Sequence, residues 1–126
     1  MPITFTLDHA ERACKGGALD AAVRFEPGKP YTLREIAAAG LPMINVAWLI
    51  AERAKLDGST VPLMQAWARL CCRMHSVRGQ KFGSIAQCTS AIQAAMKAWA
   101  KNKPTSKGAK EWAFARLLDL INTGEF

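Results

Sequence analysis

Apolar residues return every three or four positions along most of this chain, the spacing of one face of an α-helix. Only the start departs from it. Ile3-Thr4-Phe5-Thr6 alternates, so residues 1–6 read as an extended arm with a short strand. Asp8 followed by Glu11 is a capping-box pattern and opens a helix there. Gly16-Gly17 interrupts it, and residues 18–25 resume it with Leu19, Ala22, Val23 and Phe25 turned inward. Glu26-Pro27-Gly28-Lys29-Pro30 is a breaker loop. Thr32 with Glu35 repeats the capping box and opens a short helix over residues 33–39, and Gly40 closes it at C′, in a left-handed conformation.

The next pattern starts at Leu41-Pro42 and predicts a helix to Lys55. Ile44, Ala47, Trp48 and Ala51 form its stripe, and Val46, Leu49 and Ile50 widen it. A helix apolar most of the way round belongs at the centre of a core. Asp57-Gly58 is a turn. Ser59 or Thr60 caps a helix running to Val77, with Pro62 in its first turn. Met64, Trp67, Leu70, Cys71 and Met74 face inward there, and Gln65, Arg69 and Arg73 face outward. After a glycine-bracketed loop at residues 78–83, Ser84 caps a long helix to Asn102. Its inner stripe is Ile85, Cys88, Ile92, Ala95, Met96 and Trp99, and its outer stripe Ser90, Gln93, Lys97 and Lys101. Residues 103–108 form a polar loop. A last helix over residues 109–122 turns Phe114, Leu117, Leu118, Ile121 and Trp112 inward, with Gly124 at its end. The sum is an all-α protein of about six helices, with one short N-terminal strand at most. Frequent Ala and few β-branched residues agree with that class.

At 126 residues, half of them apolar, the chain fits a single folded domain rather than a disordered tail. It shows no internal repeat, heptad run or low-complexity segment. No apolar run approaches the ~20 residues of a membrane span, and residues 1–6 lack the basic and apolar regions of a signal peptide. The expected location is the cytoplasm, with the four cysteines as reduced thiols.

Charge changes the picture. Residues 58–110 contain no Asp or Glu. They hold nine cations: Arg69, Arg73, Arg78, Lys81, Lys97, Lys101, Lys103, Lys107 and Lys110. The stretch therefore carries +9 and the rest of the chain −2, within a net charge of +7. A folded segment of one sign repels itself, which points to an anionic partner; the plainer reading is a solvated face that aids solubility. If the two long helices of this stretch form an antiparallel hairpin through Trp67 and Trp99, the cations make one band along it.

Residues 18–58 combine an amphipathic helix ending in Phe25, the loop 27–30, the helix opening Thr32-Leu33-Arg34-Glu35-Ile36-Ala37, a turn at Gly40-Leu41-Pro42, and Val46, Leu49 and Ile50 on the following helix. This layout resembles the helix-turn-helix and winged-helix DNA-binding domains. The resemblance implies that the second helix enters the major groove and reads base edges from its N-terminal side chains, here Pro42, Met43, Asn45 and Trp48. Of these, Asn45 is the one able to make a bidentate base contact. The turn is one residue shorter than the family's, and another helix replaces the hairpin wing.

Cys71, Cys72, His75 and Cys88 make a zinc site one reading: Cys71 and His75 are four apart on one helix, and Cys88 opens the next. Core packing is the other, since buried free Cys acts as a small hydrophobe. No carboxylate in the stretch could orient a Cys/His nucleophile, no paired carboxylates stand at catalytic spacing, and residues 79–83 lack the features of a phosphate-binding loop. His9, beside Asp8, reads as a surface or capping residue. The four tryptophans all fall on apolar stripes as core anchors. The expectation is thus a non-enzymatic binding protein without metal or cofactor. Its cations meet nucleic acid, with phosphates neutralised by the nine named residues. The alternative is a protein-interaction module, such as a small inhibitor or adaptor of phages or mobile elements, docking on an acidic protein surface. Buried aromatics under an exposed cation field favour the first; an exposed apolar patch rimmed by charge favours the second.

Overall fold

The computed structural model describes residues 4–6, 26, 28–40, 42–101, 103–105 and 107–124. In chain order these form β1 (Thr4–Phe5), β2 (Tyr31–Thr32), α1 (Leu33–Ala38), α2 (Met43–Asp57), α3 (Val61–Met74), α4 (Ile85–Ala100) and α5 (Ala109–Thr123). The protein is all-α, with one two-stranded antiparallel ladder. The predicted helix of residues 8–25 lies outside the described residues. Packing divides the chain into two compact units, Met1–Thr60 and Val61–Phe126.

In the first unit the expected N-terminal strand forms and finds its partner: Thr4 pairs with Thr32 and Phe5 with Tyr31. Phe5 is fully buried. Arg53 of α2 holds the strand from the side. Its guanidinium lies 5.3 Å from the Phe5 ring centroid, and Nη1 donates to the Thr4 carbonyl. At the other end of β2 the chain turns: Lys29 N–H donates to Glu26 O across Gly28, whose φ is 78°. Helix α1 then starts where the sequence places it. The Thr32 hydroxyl accepts from Glu35 N–H, and the Glu35 carboxylate accepts from Thr32 N–H, a complete capping box. These hydrogen bonds, backbone first, lower the Glu35 pKa. Gly40 follows the helix at φ 86°, the left-handed C′ position expected of it.

The face of α2 differs from the predicted one. Its buried residues are Val46, Leu49, Ile50 and Ala54, while Ile44 is 37% and Trp48 45% exposed. The helix is therefore amphipathic in use, and Trp48 is not a core anchor. Both stripes are apolar, so periodicity alone could not choose between them; the placement of β1, beside Arg53, adds to the inward side. The helix ends in a left-handed Gly58. Asp57 closes the corner by accepting from Ser59 Oγ, Ser59 N–H and Arg53 Nε, which together hold its carboxyl well below the usual carboxylate range. Thr60 is fully buried and donates to Ile50 O. Both residues expected to cap α3 thus direct their hydroxyls back toward α2.

In the second unit α3 buries Leu63, Met64, Trp67, Ala68, Cys71 and Cys72, α4 buries Cys88, Ala91, Ile92 and Ala95, and α5 buries Ala109, Ala113, Leu117, Leu120 and Ile121. The small residues let the helices approach closely. The inward assignments shift in part: Met74 is 47% exposed, while Leu70, Ile85, Met96, Trp99, Trp112, Phe114 and Leu118 are half-buried, and α3 stops at Met74 rather than Val77. The stop is a Schellman motif. Val77 N–H donates to Cys72 O, Ser76 N–H donates to Arg73 O, and Ser76 sits at φ 53° where glycine is usual. Ser84 caps α4 as predicted, its hydroxyl accepting from Gln87 N–H.

Trp67 and Trp99 do not meet across an α3–α4 hairpin. Trp67 reaches α5: Nε1 donates to Ala113 O at 2.8 Å, and its ring stacks on Phe114 at 6.2 Å. Trp99 stacks on Trp112 at 6.3 Å, and His75 meets the same Trp112 edge-on at 4.9 Å. Helix α5 is therefore the common partner of the aromatic residues.

Two substitutions test the helix ends. Gly40→Val places a β-branched residue at positive φ and should lower unfolding free energy by about 1–2 kcal/mol in urea titrations. Ser76→Gly removes a left-handed strain and should raise it by some tenths up to about 1 kcal/mol, the gain being reduced by glycine's freedom in the unfolded chain.

Candidate nucleic-acid interface

All nine cations of the acid-free stretch are exposed. Among the described residues the ion pairs are Arg53–Asp57 and Arg116–Asp119, and neither involves any of the nine. Local folding explains this. With no acid between residues 58 and 110, a cation turned inward would meet only apolar neighbours, and its desolvation would go uncompensated. The stems instead lie on the surface and the charged heads remain in water.

The cations fall into two groups. Arg69 and Arg73 stand one turn apart on α3. Residues 75–84 fold back along that helix: Gln65 Nε2 donates to Phe82 O at 2.8 Å, and the Arg69 guanidinium lies 5.5 Å over the Phe82 ring. Arg78 and Lys81 belong to this same loop. After it, Cys72 Sγ donates to Ala91 O. Contacts between α3 and α4 thus advance in the same direction, Gln65 and Arg69 with Phe82, then Cys72 with Ala91. The antiparallel hairpin expected from sequence is corrected here. The ten-residue connection is long enough to run back, so the C-terminal lysines of α4 do not return to the Val61 end of α3. They lie toward its other end, linked through Trp99, Trp112 and His75.

The second group is Lys97, Lys101, Lys103, Lys107 and Lys110. Four of these, all but Lys103, line one open groove of about 620 Å³, with Gln93, Met96, Ala100, Ala109 and Glu111 among its other walls. Lys103 Nζ instead caps the Trp99 ring at 4.6 Å. The sequence placed Met96 on the inner and Gln93 on the outer stripe of α4 and gave neither them nor Ala100, Ala109 and Glu111 a part in a site. The recurrence of residues 93, 96, 97, 100 and 101 on one helical face marks them as neighbours, but the opposite wall depends on where the following loop returns.

Asn45 sits in the first turn of α2, half-buried and already engaged in an interaction. Pro42 and Trp48 are exposed beside it. Helices α1 and α2 flank Gly40, and a further helix, α3, follows α2; residues 18–25 of the layout lie outside the described residues.

The thiols behave as packing residues. Cys71, Cys72 and Cys88 are buried and unpaired. Cys88 Sγ points to Phe82 O. Burial, and secondarily the neighbouring Cys72, push the Cys71 thiol up to about 12, against a smaller opposing effect of Arg116. Burial also raises Cys72 and Cys88, with Arg69 opposing at Cys88. Among the described residues no three His, Cys, Asp or Glu side chains stand together as a metal site requires, and no helix is long and apolar enough to cross a membrane.

Comparison with protein-family models, with characterised proteins and with solved structures yields no match.

Thiol chemistry supplies a test. A thiol whose pKa is raised on folding stabilises the native state below its unfolded pKa, and that contribution is lost as pH rises toward the folded value. For Cys71 the window runs from 9.0 to about 12. Unfolding free energy should fall across it, and Cys71→Ala should flatten the fall. At pH 8, Cys71, Cys72 and Cys88 should react with a thiol reagent only as fast as the protein opens, read by mass spectrometry of the labelled peptides.

Proposed function

We propose that the second unit binds nucleic acid through its phosphates, without base-specific contacts from the basic stretch. One observation carries the reading: nine cations and no acid occupy one folded stretch, and every one of the nine faces water. Trp67 is 7% exposed, and the rings of Trp99 and Trp112 stack together. Such a surface offers a dense field of charge, with Met74 the one large apolar side chain of this unit that is exposed among the described residues. Neutralising phosphates releases condensed counterions, so affinity falls steeply with salt and depends little on sequence.

A second reading has its own observation. Ile44, Trp48 and Leu56 of α2 are exposed, at 37%, 45% and 52%. Exposed large apolar side chains on one helix suit a protein partner. In that reading the first unit presents an apolar contact surface to a protein partner while the basic stretch meets acidic groups of a protein, and Asn45 serves the contact surface rather than a base edge.

Fluorescence-anisotropy titrations on duplex DNA, single-stranded DNA and RNA at three salt concentrations separate the two. Arg69→Ala/Arg73→Ala should weaken binding about equally for every sequence, and each lost phosphate contact should reduce the salt slope by about 1. Absence of binding tighter than ~10⁻⁴ M at low salt on all three would remove the nucleic-acid reading.

A further inference from the structure

We propose that the groove between the C-terminal half of α4 and the start of α5 is a pocket for a nucleoside phosphate, with the phosphate on its lysines and the nucleoside on its apolar floor. The proposal deepens the phosphate-binding reading by giving one place on the surface a shape as well as a charge.

The groove is built in three steps. Gln93, Met96, Lys97, Ala100 and Lys101 recur at helical spacing, so α4 presents a short apolar strip between two lysines one turn apart. The chain then turns at the glycine before α5. Gly108 has φ 94°, and a Cβ there would lie 3.3 Å from the Trp99 ring. Only glycine combines that backbone angle with that approach, and it sets Lys107, Ala109 and Lys110 opposite the strip. The result is a groove of about 620 Å³, within the ~300–1,000 Å³ of small-molecule sites.

Its chemistry is two-sided. Met96, Ala100 and Ala109 give it an apolar surface. Lys97, Lys101, Lys107 and Lys110 surround that surface, against the single carboxylate of Glu111. A phosphate tract alone has no use for the apolar strip, and an apolar ligand alone has no use for four cations. A nucleoside phosphate uses both. The Gln93 amide and the Glu111 carboxylate are the polar groups able to meet a base edge, which carries donors and acceptors of both kinds. The first N–H groups of α5, whose Gly108 cap offers no side chain, add to the positive potential. The same chemistry is offered by a free nucleotide and by the phosphorylated end of a nucleic-acid strand.

Isothermal titration with the full chain at low salt tests the proposal, using adenosine 5′-monophosphate, adenosine, inorganic phosphate, and a thymidine octanucleotide with and without a 5′-phosphate. Adenosine monophosphate should bind in the millimolar range or tighter, and adenosine and phosphate each on the order of tenfold more weakly. A 5′-phosphorylated octamer that displaces the nucleotide better than the unphosphorylated one identifies a strand end as the source; equal displacement assigns the pocket to the free nucleotide. Lys101→Ala/Lys107→Ala should weaken nucleotide binding about tenfold, and Ala100→Leu, which narrows the groove without changing charge, about fivefold or more. Lys55→Ala, which removes an exposed cation of the first unit, should leave it unchanged. Circular dichroism confirms that each variant is folded. The pocket is refuted if phosphate binds as well as the nucleotide, or if Ala100→Leu has no effect on nucleotide affinity. Duplex binding that survives such a result leaves the phosphate-surface reading standing; nucleotide binding without duplex binding does the reverse.

Discussion

Nine positive charges in one folded stretch have no acid of their own to pair with, and the second unit is arranged around that constraint. A buried cation without a partner costs several kcal/mol, so every one of the nine must reach water. What remains for the interior is Ala, Cys, Met, Leu, Ile and Trp. Most of these are small, and large volume comes from a few residues, above all Trp67. Its indole N–H satisfies the Ala113 carbonyl while its ring lies on Phe114, so one side chain supplies both apolar area and a directed bond between α3 and α5. The unused polar requirement of the interior is correspondingly small: the thiols of Cys72 and Cys88 point at backbone oxygens rather than at any ionised group.

The lack of acids also leaves its mark on the connections. The loop of residues 75–84 is drawn back onto α3 by Gln65 and by the Arg69–Phe82 contact, rather than standing off as a charged tip. Lys103 lies over Trp99 in the same manner. In both places an aromatic face takes a cation that has no carboxylate available, a contact worth about 0.5–1 kcal/mol at an exposed site. These contacts hold loop segments in place while leaving the charges accessible.

Features set by residues three or four apart were legible in the sequence. The Thr32–Glu35 box, the Ser84 cap and the left-handed Gly40 all depend on the local chain, and all are found. Features set by a distant partner were not. On α2 the stripe of Ile44, Ala47, Trp48 and Ala51 competes with that of Val46, Leu49, Ile50 and Ala54; the second holds three large aliphatic side chains against one, so its burial was legible from hydrophobicity, while the exposure of Trp48 depends on what packs against the helix. The direction of α4 along α3 was equally hidden, since a ten-residue connection permits either sense. The candidate site was legible as a charge inventory: all nine cations are where solvent reaches them. The groove beside Lys97, Lys101, Lys107 and Lys110 was not, because it exists only once the α4–α5 turn has been placed.

Gly108 carries a consequence for how this chain can change over generations. Two unrelated demands meet there, a left-handed backbone and a tight gap beside Trp99, whose ring a Cβ would have to displace by a few tenths of an ångström. The lysines around it are interchangeable in part, because a field of charge tolerates the loss or migration of one member. The glycine has no substitute of similar kind. Drift in this region should therefore run through the charged positions and stop at the residue without a side chain, so that in a lineage of such proteins the most constant position of the basic region would be the one that carries no charge.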